Sequence, residues 1–149
     1  MTPGPIDLKI VSNRLDLVDR YMVTLRTIPS ESIEQFLADE RNPAAAESLL
    51  RRAIESLLDT ARHLLAKGYG LGALQYREAA RLSAEKGLVR DKDLASRFQQ
   101  IAGFRIRLTH HYEEVTNEEL LEVLNRHLQD LEALRKELQQ AASRLAADR

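Results

Sequence analysis

The residues of this chain that could do chemistry lie in the stretch 102–112, which reads A-G-F-R-I-R-L-T-H-H-Y. Arg105 carries a permanent positive charge and a fork of N–H donors that fits a phosphate group. The imidazole of His110 is a group that exchanges protons readily near neutral pH. Together they offer phosphodiester transfer in RNA without a metal. The imidazole would take the proton of a ribose 2′-hydroxyl, and the guanidinium would stabilise the charge that develops on the phosphate.

The helix that must position these groups has an apolar seam with a charge in it. Its seam positions recur at intervals of four and three residues and are Leu94, Phe98, Ile101, Arg105, Leu108 and Tyr112. An arginine on such a seam needs a partner anion or a route to water, and a snorkelling side chain near a helix end is the alternative to a site. At 100° per residue, Tyr112 lies about 20° from Arg105 and His110 about 140° away. Arg105 and His110 can therefore act together only if the helix ends or bends near residues 108–109, or if a second chain completes the site.

Other polar residues allow more than one interpretation. His110 and His111 are adjacent, and their side chains would point about 100° apart on a helix with no third ligand at a suitable spacing, so no metal site is predicted. Glu55, Asp59 and His63 follow one another at intervals of four. They are interpreted as a solvated surface, with support of a site by Asp59 or His63 as the second interpretation. Residues 90–111 hold five Lys or Arg against two Asp, which predicts a local basic patch.

The composition predicts an all-α protein. The 149 residues are 44% hydrophobic and 30% charged but only 5% aromatic, which is typical of helices rich in Leu and Ala and fits a single domain over residues 1–149. A net charge of −1 argues against a surface that is basic throughout. The absence of cysteine excludes disulfides and thiolate sites. No segment has the start of a secretory signal or the apolar length of a membrane span, so the expected location is the cytoplasm.

Apolar spacing and caps divide the chain into helices. Helices are predicted over 6–25, from Pro43 to a cap at Gly68, over 76–86, from a cap at Asp91 or Asp93, and from a capping box at Thr116 and Glu119 through Leu145, with a further short helical turn over 33–37. These predict an antiparallel bundle of about four to five helices. The last helix would run for roughly thirty residues, about 45 Å, which exceeds what a compact bundle needs. A second apolar stripe on the first helix is formed by Ile10, Leu17, Tyr21 and Ile28. Both features predict a homodimer.

The run G-F-R-I-R-L-T-H-H-Y resembles the R-x4-H-x-Y signature of HepT-like toxins, which belong to the HEPN superfamily of small helical ribonucleases. Segments 58–68, 76–78 and 94–104 and the capped last helix resemble the family in the same order. The resemblance implies a dimerising all-α bundle with the signature near the dimer cleft, and a toxin that cleaves RNA, including tRNA, without metal or cofactor. Arg105 and His110 match the catalytic residues. Tyr112 matches the tyrosine that a cognate minimal nucleotidyltransferase (MNT) antitoxin adenylylates with ATP.

The sequence departs from the family pattern at Ile106, where many relatives have asparagine after the signature arginine. This departure leaves an alternative from another class, a non-catalytic helical binding subunit of a nucleotidyltransferase complex. A helical scaffold with no site is a third interpretation, which a charged residue in an apolar seam disfavours. The leading expectation is the toxin component of a toxin–antitoxin pair.

Overall fold

The computed structural model describes residues 2–110 and 114–148, and these form helices joined by short connections. The helices are α1 (Leu8–Leu25), α2 (Ile33–Leu37), α3 (Arg41–Tyr69), α4 (Tyr76–Glu85), α5 (Lys92–Thr109), α6 (Asn117–Arg126) and α7 (Leu128–Ala147). No strand occurs within the described ranges, so the predicted all-α class is confirmed. None of the helices in this part of the chain has the length and apolarity that a membrane span requires.

Helix α3 is the element on which the others pack, since α1, α2, α4, α5, α6 and α7 all contact it. Its core side chains include Leu50, Leu57 and Leu64, which are fully buried. The predicted seam of α1 is buried at every position, with Val11, Leu15, Val18, Met22 and Leu25 at most 3% exposed. One hydrophobic core therefore forms around α3, and α5 is held against it as a rigid support for residues 105–110.

Side-chain caps begin α5 and α6 where the sequence predicts them. Asp91 accepts a hydrogen bond from the Leu94 amide at 3.0 Å and starts α5. Thr116 and Glu119 form the predicted capping box of α6, each accepting the other's backbone amide. These local bonds satisfy amides that have no partner inside the helix, which fixes where each helix starts.

The predicted cap at Gly68 is wrong, because α3 continues to Tyr69 and Gly70 is the residue that ends it. Gly70 adopts a left-handed conformation with φ of +71°, and its amide donates to the carbonyl of Ala66. Gly68 has a different task. A Cβ on it would lie 3.1 Å from Cδ1 of Leu145, so the missing side chain lets α7 approach α3 closely.

The single long last helix is also wrong. The chain breaks at His127, whose φ of −119° and ψ of −1° separate α6 from α7. The His127 ring contacts the carboxylate of Asp130 at 3.2 Å, and the Asp130 amide donates to the His127 carbonyl. Apolar spacing continues across the break because spacing reports which side chains face the core, not whether the backbone ladder is intact. With this break and α2 counted separately, the described residues form seven helices rather than four to five.

The break removes one of the two features that predicted a homodimer. The other feature, the second apolar stripe on the first helix, is only partly available to a second chain. Ile28 is 8% exposed and belongs to the core of the chain itself, whereas Ile10 is 37% exposed. The homodimer stays a prediction.

Replacing Gly70 by alanine tests the assignment of the cap. We expect Gly70→Ala to lower the free energy of unfolding by about 1 kcal/mol, because a Cβ is strained in the left-handed region. Gly70→Asn is the matched control, since asparagine tolerates this conformation and should cost less. Urea unfolding followed by circular dichroism measures both. Equal stability of wild type and Gly70→Ala would contradict the assignment.

Candidate functional site

Helix α5 ends at Thr109, so a helix end near residues 108–109, one of the alternatives that would let Arg105 and His110 act together, is present in this chain. His110 follows in an extended conformation, with φ of −99° and ψ of 124°. Its amide donates to the Ile106 carbonyl at 3.0 Å, and the Thr109 hydroxyl donates to the Arg105 carbonyl at 3.1 Å. The His110 amide therefore gives a partner to the Ile106 carbonyl, which the end of the helix would leave open, and the Thr109 hydroxyl adds a second bond to the last turn.

Arg105 and His110 line the same cavity, which has a volume of about 400 Å³. Ile106, the position that departs from the family pattern, lines it between them, and Tyr76 and Arg77 contribute from the start of α4. The structure thus brings together two of the three predicted site residues. Tyr112 and His111 lie outside the described residues.

Arg105 meets its requirement for a partner anion through Glu55 of α3. Its Nε and Nη2 donate to Oε1 of Glu55 at 3.2 and 2.8 Å. The guanidinium also lies over the ring of Tyr76, with Cζ 4.7 Å from the ring centroid, and the side chain is only 19% exposed. A cation over an aromatic face is attracted by the ring's electron density. Arg105 is therefore held in one orientation by groups from two other helices.

The orientation of Arg105 leaves donors for a further anion. A guanidinium has five N–H groups, and two of them bind Glu55. The other three have no hydrogen bond to any group in residues 2–110 and 114–148. A phosphate group could thus be bound without breaking the contact to Glu55.

Tyr76 is fixed by a second carboxylate on α3. Its hydroxyl donates to Oδ1 of Asp59 at 2.9 Å, and Arg62 bridges the two, with an ion pair to Asp59 at 3.4 Å and its Cζ 5.3 Å from the ring centroid. Burial raises the pKa of the Tyr76 phenol, and the hydrogen bond to Asp59 raises it further. Tyr76 therefore stays neutral, with its ring against the guanidiniums of Arg62 and Arg105 and its hydroxyl donating to Asp59.

Two of the three polar positions on α3 are not simply solvated surface. Asp59 contacts a residue of the cavity, as the second interpretation predicted, and Glu55 binds Arg105 directly. The role of Glu55 was missed, although its place one turn before Asp59 on the same face of the helix was visible in the sequence. His63 behaves differently, since it contacts the start of α1 instead of the cavity.

The predicted basic patch around α5 is largely neutralised within the molecule. Arg97 pairs with Asp130 of α7 at 3.0 Å, and Arg107 pairs with Glu119 of α6 at 2.6 Å. With Arg105 on Glu55, three of the five cations counted in residues 90–111 have a carboxylate partner. The positive charge at the cavity is therefore directed by specific pairs and is not spread over a basic surface.

Among the described residues, no group of three or more His, Cys, Asp or Glu side chains is arranged to hold a metal ion. The cavity contains a guanidinium with open donors, which can bind a phosphodiester, and an imidazole, which can transfer protons to and from it. A small helical bundle with this pair has the groups that a helical nuclease would use.

Comparison with known proteins agrees with that class. The family model described as ribonuclease HepT-like matches residues 14–138. The chain therefore belongs to the ribonuclease HepT-like family, and the resemblance found in the sequence is confirmed. A tRNA nuclease HepT from Aphanizomenon flos-aquae is 26% identical over 110 residues, which cover 74% of this chain and 74% of that protein.

Two solved structures share the fold. The tri-AMPylated HEPN toxin of Shewanella oneidensis, in complex with an MNT antitoxin, is 21% identical with a TM-score of 0.79, covering 88% of this chain and 97% of that one. A toxin–antitoxin structure with AMP-PNP has a TM-score of 0.76 and 20% identity, covering 87% of this chain and 97% of that one.

His63 links α3 to the first residue before α1. Its Nε2 accepts a hydrogen bond from the Asp7 amide at 3.1 Å, which requires that nitrogen to be unprotonated. Burial lowers the pKa of His63, and the nearby Arg14 guanidinium lowers it further. The folded state thus favours the neutral imidazole, while the unfolded chain binds a proton at higher pH.

Stability should therefore depend on pH through His63. The contribution of the neutral ring is complete above the ordinary imidazole pKa of about 6.5 and is lost as the pH falls toward the lower pKa of the folded state. We expect urea unfolding of wild type to show decreasing stability between pH 7.5 and 5.5, and His63→Gln, which keeps an acceptor but does not titrate, to show a smaller decrease. Parallel profiles for the two proteins would rule out this role.

Proposed function

We propose that this protein is the RNA-cleaving toxin of a toxin–antitoxin pair, with Arg105 and His110 as its catalytic residues. The observation that carries the proposal is the end of α5 at Thr109, after which His110 lines the cavity that Arg105 also lines. On a straight helix the two side chains would have diverged by about 140°. Family membership supports the activity, and the cavity supports the choice of residues.

The proposed reaction is an attack of the ribose 2′-oxygen on the adjacent phosphorus. His110 accepts the 2′-hydroxyl proton as the O2′–P bond forms, and the P–O5′ bond breaks. The protonated imidazole then supplies a proton to the departing 5′-oxygen, which leaves a 2′,3′-cyclic phosphate and a 5′-hydroxyl. Arg105 binds the non-bridging phosphate oxygens through the N–H groups that Glu55 leaves open, and so stabilises the charge of the transition state. No metal or cofactor takes part.

The proposed substrate class includes tRNA, because a similar protein of Aphanizomenon flos-aquae is a tRNA nuclease. The proposed partner is an MNT-type nucleotidyltransferase antitoxin, because a protein of the same fold is AMPylated and bound to one. The target on this chain is Tyr112, two residues after His110. An adenylate there would add negative charge two residues after His110, and this charge would compete with RNA for the Arg105 guanidinium. The pair would act in the cytoplasm, with this chain as a homodimer.

A binding subunit without catalysis remains the second candidate, and Ile106 favours it. Ile106 lines the same cavity as Arg105 and His110, and its side chain offers no hydrogen bond to a substrate. Purified protein incubated with RNA in a chelating buffer separates the two candidates. The proposed ribonuclease still cleaves under these conditions, whereas a binding subunit leaves the RNA intact.

Expression of the protein alone tests the role of His110. We expect wild type to arrest growth and His110→Ala to lose this effect, with RNA cleavage by the purified variant lower by at least about 100-fold, since the proton-transfer group is gone. His63→Gln is the matched control, because it replaces a histidine that does not line the cavity. Equal toxicity of wild type and His110→Ala would exclude the catalytic role.

Co-expression with an MNT-type nucleotidyltransferase, sought in the neighbouring reading frame, tests the proposed modification. We expect the intact mass of the protein to increase by one or more adenylate units, and the modified protein to lose RNA cleavage. Tyr112→Phe should remain unmodified because it lacks the phenolic oxygen, while Tyr76→Phe should still be modified. Adenylylation of Tyr112→Phe to the wild-type level would place the modification elsewhere.

A further inference from the structure

Arg77 is an exposed cation that no functional assignment has used. It is the second residue of α4. It lines the cavity of Arg105 and His110, and it also lines a second, larger and mainly apolar groove of about 440 Å³. In the part of the chain that the structure describes, its guanidinium has no hydrogen bond or ion pair. It therefore lies at the border between the candidate site and the surface beyond it.

The guanidinium of Arg77 lies beside Gly103 of α5. A Cβ on Gly103 would lie 3.7 Å from Nη2 of Arg77, so the guanidinium lies close to α5 at this point. Gly103 and Ile106 lie about 60° apart around α5, and His110 is the first residue after the helix. The His110 amide donates to the Ile106 carbonyl. Arg77 thus contacts α5 at Gly103 and lines the cavity together with Ile106 and His110, while Arg105 lines the same cavity from a position about 160° from Gly103 around the helix.

The cations near the cavity differ in what a phosphate would have to displace. Arg62 is paired with Asp59, Arg105 with Glu55, and Arg107 with Glu119. A phosphate bound to one of these guanidiniums would share it with a carboxylate, and the negative charge of the carboxylate weakens the attraction between guanidinium and phosphate. Arg77 has no such competitor in residues 2–110 and 114–148. Its five N–H donors are the ones most readily available to a new anion at this site.

We propose that Arg77 is a second phosphate-binding residue, which holds the backbone phosphate next to the scissile one. This inference rests on the proposed function, with Arg105 at the scissile phosphate and His110 beside it. The guanidinium donates to the non-bridging oxygens of the adjacent phosphate and guides the strand from the cavity toward the apolar groove. It takes no part in proton transfer, so its role is to bind and align the RNA.

The test compares Arg77→Gln with Arg81→Gln. Arg81 lies one turn further along α4, is also exposed, and forms only an ion pair with Glu85 at 3.2 Å, so it matches the loss of charge outside the site. In the His110→Ala background, binding of a single-stranded RNA oligonucleotide is measured over a range of salt concentrations. We expect Arg77→Gln to weaken binding about 10- to 100-fold, as a lost charge-assisted hydrogen bond does, and to lower the slope of log K against log salt by about 0.7. Arg81→Gln should change neither.

Cleavage by the otherwise active protein gives a second readout. Arg77→Gln should raise KM more than it lowers kcat, because binding is lost and the proton-transfer group remains. Arg77→Lys, which keeps the charge but not the fork, should restore the salt slope and part of the affinity. An unchanged salt slope, with or without a lower melting temperature, would overturn the inference, as would RNA affinity equal to that of Arg81→Gln.

The outcomes separate this inference from the proposed function. If wild type does not cleave RNA and His110→Ala behaves like wild type, the proposed function fails. If wild type cleaves and His110→Ala does not, while Arg77→Gln binds RNA as Arg81→Gln does, only the role of Arg77 fails. Loss of antitoxin binding in Arg77→Gln with RNA binding intact would assign the residue to the protein partner and overturn the inference.

Discussion

The ion pair between Arg105 and Glu55 is the interaction on which the site depends. A guanidinium in an apolar helix seam cannot lose its charge, so the fold must supply an anion for it. Glu55 supplies that anion from the central helix, and the ring of Tyr76 covers one face of the cation. Because Asp59 and Arg62 fix Tyr76 in turn, α3, α4 and α5 meet around a single side chain. The charge that is costly to bury is thus also the charge that is held in a defined orientation.

The end of α5 converts this held cation into a candidate site. Arg107 helps to define the region by pairing with Glu119 at the start of α6 and donating to the carbonyl of Glu114, so it connects the last turn of α5 to the next helix. His110 leaves the helix beside Ile106 and lines the cavity with Arg105. The Arg105 guanidinium is positioned by its packing against other helices. The His110 imidazole is positioned by the end of α5, because His110 is the first residue after the helix.

Charge pairing explains how a protein with a net charge of −1 can have a site for a polyanion. The arginines of α5 are neutralised by carboxylates from three other helices, so they give little general attraction for RNA. What remains are individual donors with a fixed direction, which favour binding at one place over binding along the whole surface. The ribonuclease HepT-like family membership and this distribution of charge therefore agree, although the basic patch predicted from local counts does not persist as an open surface.

The sequence by itself determined the helical class, the buried seam of α1, the capping residues Asp91 and Thr116, and the signature at Arg105 and His110. These are local features, since apolar spacing and caps act within a few residues along the chain. It also implied that Arg105 requires a partner anion, and that His110 can join Arg105 only beyond a helix end or with a second chain. Only the tertiary structure decided the answers. Glu55 lies 50 residues from Arg105, Gly68 serves the approach of Leu145 and leaves the cap to Gly70, and the last helix breaks at His127. Such outcomes depend on which helices pack together, and a pattern read along one helix contains no record of the side chains that will face it.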